Sequence, residues 1–515
     1  MKRLPIGIQT FSDIIENNYY YIDKTEFIKK LLSGPKSYFL SRPRRFGKSL
    51  FLDTIESAFR CKKDLFKGLY LENNWDWESE HPVVKISFGS GVSRNIEELR
   101  ETFNYSLHII EQEYSIETTF KDLKNRFSQI IELLYKKYSK QVVVLIDEYD
   151  KPILDNITKT ELAEELRDEL KNYYSVIKDS DRYIKLCFIT GVSKFSKVNL
   201  FSGLNNLNDI TLDKEYGDVC GYNQQELESI FSDRLKNFDK EKVKKWYNGY
   251  SFTGKSVYNP FDILFLFEKK EFRNYWFETG TPSFLIKLIS ERNFFIPNLE
   301  NIETSDKIIG SFDVDDIVLE ALLFQTGYLT IKKKIRLGEN TLFSLTYPNM
   351  EVKISLTDYI LGKLVESNIK KSKNHISLYK AMENGDLEKL KDIFHSFFAS
   401  IPSDWYRKNT IANYEGYYSS IFYCYMTALG LDVIPEDVTN QGRIDLTAKI
   451  EDKIYIMEFK VIEMVKDGNT AFNQIKEKNY HEKYLAEGKD IYILGVEFSK
   501  ETRNITGYKW EHINY

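Results

Sequence analysis

The chain has 515 residues, more than one hydrophobic core usually organises, so two or three domains are expected. Hydrophobic residues make up 42% and charged residues 29%, without a long Gly, Ser or Pro tract, which excludes extended disorder. Lys and Arg total 72 against 77 Asp and Glu, and the net charge of -5 excludes a global basic signal for nucleic acid, so any such binding has to be local.

Met1 to Thr10 carries two basic residues but no apolar core of signal-peptide length, and the longest apolar run, Val142 to Ile146, is too short to cross a bilayer. A cytoplasmic protein with no membrane partner is expected. Strands are predicted at Ser37 to Leu40, Val83 to Phe88, Gln141 to Ile146 and Ile184 to Ile189, alternating with amphipathic stretches as in a parallel sheet flanked by helices. Between the last two, Leu162, Leu166 and Leu170 mark one face of a crossover helix. Gly221 to Glu366 is aromatic and reads as a helix-rich lid and connector, punctuated at Asn248-Gly249, Asn259-Pro260 and Gly280-Thr281-Pro282. Lys370 to Asn374 is the expected linker, and a helix is predicted over Asp386 to Phe398 with Leu387, Leu390, Phe394 and Phe397 on its apolar face. The expected domains are therefore 1–220, 221–370 and 371–515. Cys61, Cys187, Cys220 and Cys424 form no C-x-x-C, and the six histidines form no H-E-x-x-H, so neither a zinc ribbon nor a His-based metal site is expected.

The first motif runs Ser37-Tyr-Phe-Leu-Ser-Arg-Pro-Arg-Arg-Phe-Gly47-Lys48-Ser49-Leu50: a strand, a tight loop and Gly-Lys-Ser. Loop amides and a helix N-terminus supply oriented N–H groups to phosphate oxygens, Lys48 neutralises the β/γ charge and Ser49 ligates Mg²⁺. The expected nucleotide-contacting positions are Arg42, Pro43, Arg44, Arg45, Phe46, Gly47, Lys48, Ser49 and Leu50. Arg42 stands where G-x-x-x-x-G-K-[ST] has its first glycine. Pro43 fixes the turn instead, and the three arginines either add charge near a polyphosphate or are a solvated basic loop. The second motif is the apolar run Val142 to Ile146 followed by Asp147-Glu148-Tyr149-Asp150, a buried parallel strand bringing carboxylates to its C-terminal edge. Asp147 is expected to hold Mg²⁺, and Glu148 to polarise the attacking water. At the end of the next strand, either Thr190 or Ser193 is placed to sense the γ-phosphate, with turn chemistry as the competing explanation.

These motifs, with Leu4-Pro-Ile-Gly-Ile-Gln-Thr-Phe, Tyr21-Ile-Asp-Lys-Thr, Ile146-Asp-Glu-Tyr-Asp-Lys-Pro and Thr190-Gly-Val-Ser-Lys-Phe-Ser, resemble the bacterial AAA-ATPase-like family over about the first 220 residues. Later echoes are Cys220-Gly-Tyr and Trp246-Tyr-Asn-Gly-Tyr. The resemblance implies an α/β P-loop NTPase domain of the ASCE/AAA type, with ATP and Mg²⁺, and commonly a C-terminal α/β nuclease-like domain of the PD-(D/E)XK type. An arginine in the first loop position also fits that family.

Asn413 to Lys483 carries the second constellation: Glu415 on an aromatic helix, Gly442-Arg-Ile-Asp445, Ile454-Tyr-Ile-Met-Glu458-Phe-Lys460, and Gln474 on a later helix. Glu458 and Lys460, at i and i+2, share one face of a strand, and Glu451-Asp-Lys between two strand-like runs allows a hairpin that brings Asp445 beside them. Metal-dependent phosphodiester cleavage needs these types: carboxylates to hold Mg²⁺ and an ammonium to orient the nucleophile or support the transition state. The order Asp, then Glu-x-Lys, resembles the PD-(D/E)XK pattern with its preceding Glu and following Gln. Asp445, Glu458 and Lys460 are the candidate catalytic residues, and Glu415, Asp445 and Glu458 the candidate metal ligands. The expected activity is an ATPase coupled to a Mg²⁺-dependent nuclease, with nucleic acid, DNA ahead of RNA, as partner and room for a homo-oligomer. The competing expectation is a regulatory or scaffold NTPase whose C-terminal domain binds nucleic acid or a protein without cutting.

Overall fold

A computed structural model describes residues 1–195, 206–279, 295–310, 316–364, 368–401, 415–463 and 469–513. The chain divides into two compact units, Met1–Phe284 with Asn301–Asn349, and Leu285–Glu300 with Met350–Tyr515.

In the first unit, β1 (Ser37–Ser41), β2 (Val83–Ser87), β3 (Val142–Asp147), β4 (Ile184–Gly191) and β5 (Asn208–Asp209) form a five-stranded sheet in the order β2-β3-β4-β1-β5. Every pairing in it is parallel. Strand β3 is buried along its whole length, as expected of a Val-Val-Val-Leu-Ile run covered on both faces. It extends one residue further than the apolar run, so Asp147 ends the strand itself. The helix Thr160–Asp179 buries Leu166 and Leu170 of the predicted face, while Leu162 is only half-buried and its neighbour Ala163 is buried instead.

Beyond this sheet, β6 (Tyr222–Asn223) pairs with β7 (Val257–Tyr258). The helix Pro260–Lys269 follows, capped by the Asn259 side chain. The helix-rich reading of this region missed a sheet: β8 (Ile302–Ser305), β9 (Thr330–Leu337) and β10 (Asn340–Thr346) form an antiparallel layer in the order β8-β10-β9. Residues Thr330 to Leu337 and Asn340 to Thr346 are joined through Gly338, which has φ 60, so the hairpin turn was written in the sequence.

In the second unit, the expected linker at Lys370 to Asn374 lies inside the helix Asn368–Glu383. Lysine is a good helix former, and buried Leu378, Ala381 and Met382 give the helix the spacing of an anchored face. The next helix, Leu387–Ala399, is capped by Asp386 and buries Leu387, Leu390, Phe394 and Phe397 as predicted. The sheet of this unit runs β11 (Asp432–Val438), β12 (Arg443–Ile450), β13 (Lys453–Ile462), β14 (Asp490–Ser499) and β15 (Ile505–Ile513) in sequence order. Only β13 and β14 pair in parallel; the other neighbours are antiparallel. The helix Glu415–Ala428 packs Phe422 against Phe459 with tilted rings, centroids 4.9 Å apart, and stacks Tyr418 on Phe498, at 3.8 Å. Among the described residues, no helix is long and apolar enough to cross a membrane.

Candidate functional site

Strand β1 delivers the chain into the loop, and the helix Lys48–Phe59 leaves it. Gly47 has φ 92, the left-handed region, while a Cβ there would meet nothing within 4 Å. Glycine is required for conformation, not for space. Lys48 Nζ donates to the carbonyl oxygens of Arg42, at 2.8 Å, and Pro43, at 3.0 Å. Burial pulls the Lys48 pKa down while Asp147 and Glu148 oppose it. The ammonium therefore rests on two neutral acceptors beside carboxylates, a position from which it gains by meeting phosphate.

Across from the loop, Asp147 is 6% exposed, and its Oδ1 accepts from the Thr190 hydroxyl at 2.6 Å. Glu148 has φ 51, a left-handed conformation that costs a non-glycine residue about 1–3 kcal/mol. Gly89 gives its carboxylate room: a Cβ there would lie 3.1 Å from Glu148 Oε2. Burial pushes the Glu148 pKa up, Lys48 pulls it down, and Asp147 and Asp150 push it up again. Asp150 is buried, and its Oδ2 accepts from Ser193 N and Ser193 Oγ, both at 2.6 Å.

Arg44 to Leu50 and Glu148 line one cavity of about 540 Å³. Three of the expected nucleotide-contacting positions stand outside its wall. Thr190 donates to Asp147, which stands behind the cavity, and Ser193 to Asp150, which lines it, so both hydroxyls are taken up in bracing carboxylates. Pro43 packs where a Cβ on Gly327 would come within 2.8 Å. Arg42 is 0% exposed: its Nη1 donates to the carbonyls of Ser41, at 2.8 Å, and Thr211, at 2.9 Å, and its Nη2 to that of Tyr216, at 2.9 Å. Its guanidinium also lies 4.0 Å from the Phe252 ring centroid. Arg42 thus ties the loop to the segment after β5, and adds no charge to the wall. Arg42→Met is expected to destabilise the first unit by about 3 kcal/mol or more, because three buried carbonyls lose charged donors. Arg42→Lys should rescue little, since one ammonium cannot span the fork; denaturant titration of both variants checks this.

In the second unit, β12 and β13 form the expected hairpin, with Leu446 opposite Met457. Asp445 Oδ2 accepts from Phe459 N at 2.8 Å. Lys460 Nζ lies 3.8 Å from Glu458 Oε1 and 3.4 Å from Glu415 Oε2. Gln474, on the helix Thr470–Glu477, donates to Glu458 Oε1. Glu458 is 1% exposed, and its Oε2 has no hydrogen-bond partner among the described residues. Such a carboxylate is costly to ionise unless a cation meets it. Among the described residues no three acidic, His or Cys side chains close into a ready metal cage. The fit to a divalent cation rests on the open Glu458 oxygen with Asp445 beside it, while Glu415 stands at the rim on Lys460.

Burial holds the carboxyls of both Asp445 and Glu458 above the usual carboxylate range, with Asp445 adding to the rise at Glu458, and Glu415 and Glu436 adding to that at Asp445. Burial pulls Lys460 down, but Glu415, Asp445 and Glu458 together raise it above its ordinary value. The raised carboxyls favour the folded state when protonated, so their stabilisation is present at low pH and is lost as pH rises through about 6 for Asp445 and about 8 for Glu458. A divalent cation competes with those protons. Mg²⁺ or Mn²⁺ is thus expected to raise the melting temperature more at about pH 8 than at about pH 5.5, with Glu458→Gln blunting the difference; calorimetry in both buffers measures it.

Several contributors escaped the motif reading. Gly495, opposite Glu458 on β14, would put a Cβ 2.2 Å from Phe472 N, so its bareness lets the Gln474 helix lie against the strand. Tyr480 donates to the Arg443 carbonyl at 3.1 Å, and Glu436 pairs with Arg443 at 2.6 Å. The signal for Gly495 was a lone glycine in an apolar strand, which marks close backbone approach. In the first unit, Pro5, Ile8, Tyr222 and Phe261 also line the large cavity. Pro5 and Ile8 belong to the opening Leu4-to-Phe11 motif, and Tyr222 to the Cys220-Gly-Tyr echo.

A family model described as "Predicted AAA-ATPase" matches residues 5–201, and one described as "PD-(D/E)XK nuclease superfamily" matches residues 413–508. Over 513 residues the chain is 49% identical to an Azotobacter chroococcum mcd 1 protein described as "Uncharacterized protein in vnfD 5'region", covering 99% of each chain.

Proposed function

Because the chain belongs to the family that joins an AAA-ATPase-like domain to a C-terminal PD-(D/E)XK nuclease-superfamily domain, we propose that it hydrolyses ATP in its first unit and cleaves nucleic acid in its second. At the loop, Lys48 exchanges two carbonyls for the β/γ phosphates, while Glu148, held in the wall by its strained turn, orients the attacking water. Ser49 and Asp147 would hold Mg²⁺ there, as would Asp445 and Glu458 in the second unit with Glu415 at the rim, and the ion supplies a Lewis acid that lowers the pKa of water and offsets phosphate charge. In the second unit, Phe459 N orients Asp445, Gln474 orients Glu458, and Lys460 places a positive charge toward a bound phosphate. The observation that carries the nuclease half is the buried Glu458 carboxylate with an open oxygen beside Asp445 and Lys460.

DNA is the substrate to test first, and the four free thiols, three of them buried, suit a reducing cytoplasm. Domain limits at 1–220, 221–370 and 371–515 and assembly into a homo-oligomer remain part of this proposal. The deciding experiment incubates the purified protein with linear, circular and single-stranded DNA, and with RNA, with and without ATP and Mg²⁺. Mg²⁺-dependent cleavage supports the reading. Binding of nucleic acid or a protein without cleavage of any substrate favours a regulatory NTPase.

A further inference from the structure

The hairpin of β9 and β10 takes part in neither site. Its sequence, Thr330-Ile-Lys-Lys-Lys-Ile-Arg-Leu-Gly-Glu-Asn-Thr341, sets Lys332, Lys333, Lys334 and Arg336 against one carboxylate, Glu339, in a chain whose net charge is -5. Thr330, Ile331, Phe343 and Leu345 are buried and anchor one end of the hairpin, whereas all four cations and the turn from Leu337 to Asn340 are exposed. Strand β8 pairs with β10 only from Leu342 to Leu345, so beyond Leu342 the sheet narrows to a two-stranded ribbon with β9 on its open edge. Arg336 opposite Thr341 and Leu337 opposite Asn340 carry that ribbon out by about 7 Å, at the rise per residue of an antiparallel strand. The major groove of B-form DNA, about 8.5 Å deep and about 12 Å wide, admits a ribbon of this kind.

No carboxylate neutralises the charge. Among the described residues Lys332, Lys333 and Lys334 form no ion pair, and Arg336 Nε donates to the Gly338 carbonyl at 3.4 Å. Glu303 of β8 lies opposite Ser344, with β10 between it and Lys333. Lys334 and Arg336 share one face of the pleat and Lys333 takes the other, so cations flank the ribbon on both sides, as phosphates flank a groove. At the tip, Leu337 is 57% exposed and offers an apolar contact to base edges such as the thymine methyl. A-form RNA has a deep, narrow major groove that side chains do not enter, and a single strand has no second wall. Lysines on an edge strand also deter pairing with another sheet edge, but glutamates there do the same, so charge reversal separates the two roles.

We propose that this hairpin is a DNA-binding arm of the first unit, whose tip enters the major groove of duplex DNA while Lys333, Lys334 and Arg336 meet the phosphates on its two walls. The arm goes beyond the cleavage reading above, because it binds without cutting. The test is fluorescence anisotropy of a short labelled DNA duplex with the full chain in EDTA, over a series of salt concentrations. Lys333→Glu, Lys334→Glu and Arg336→Glu together should weaken duplex binding at least about tenfold and lower the slope of log affinity against log salt by about 2–3. The same reversal at Lys236, Lys244 and Lys245, exposed lysines elsewhere in the first unit, should change affinity by no more than about threefold. Leu337→Ser should weaken binding about tenfold with the slope unchanged, since it removes no charge. Melting temperatures establish that the variants fold, and if the triple variant does not, Lys333→Glu and Arg336→Glu singly carry the same test with smaller shifts. A wild type that binds no duplex DNA, or binds duplex RNA or single-stranded DNA as tightly, would overturn the arm. So would wild-type affinity in the arm variant or in Leu337→Ser, or an equal loss in the control variant. Duplex binding in EDTA that depends on the arm, with no cleavage when Mg²⁺ is added, removes the nuclease reading alone; cleavage in Mg²⁺ with duplex affinity unchanged in the arm variant removes the arm alone.

Discussion

Asp445→Ala and Glu458→Ala are each expected to reduce Mg²⁺-dependent cleavage of nucleic acid on the order of 10³-fold or more. The hairpin holds the two carboxyls together, Asp445 through Phe459 N and Glu458 through Gln474, so one survivor leaves the cation poorly held. Lys460→Ala should be severe by a different route. Both carboxylates remain, and cation binding measured by calorimetry should persist while cleavage is lost. Nucleic-acid affinity should change little in all three, because contacts spread over other basic residues dominate it. ATPase activity should be untouched. If all three variants cleave as well as the wild type, the cluster is not the cleaving site, and a contaminating nuclease or another surface has to be sought.

Glu148→Gln is expected to keep ATP bound while slowing turnover by about 10²–10⁴-fold, since the amide preserves shape but cannot accept the proton. The geometry sharpens the contrast with its neighbour. Glu148 lines the cavity, whereas Asp147 sits behind it with one oxygen on Thr190. Asp147→Asn should therefore weaken the Mg²⁺ dependence of nucleotide binding, and Thr190→Val should do so more mildly by releasing that carboxylate. Equilibrium binding of a fluorescent ATP analogue, alongside phosphate release, separates the two behaviours. If Asp147→Asn binds normally and fails to hydrolyse while Glu148→Gln turns over, the two roles are exchanged.

The sequence by itself determined the local chemistry of this protein. Gly47-Lys48-Ser49 after an apolar strand, Asp147-Glu148 at the end of a Val-rich run, and Glu458-x-Lys460 across a turn from Asp445 each follow from short-range rules: strand alternation, helix-start amides and the need of a buried strand for apolar residues on both faces. Four of the five strands of the parallel sheet and the helix Leu387–Ala399 were legible for the same reason. Tertiary structure alone decided where long side chains point and which distant segments meet. Arg42 lies in a basic loop, yet its guanidinium finds the carbonyls of Thr211 and Tyr216 about 170 positions away, and only folding reveals that those acceptors exist. Thr190 stands at a strand end suited to a phosphate, but Asp147 reaches its hydroxyl first. The polar stretch at Lys370 to Asn374 looked like a linker until the buried face formed by Leu378, Ala381 and Met382 held it as a helix. Gly495 signalled a close backbone approach but not its partner, because the helix that packs against it comes from elsewhere in the chain. A motif specifies which atoms can do chemistry, while a buried charge goes to the nearest partner that the folded chain brings within hydrogen-bond reach.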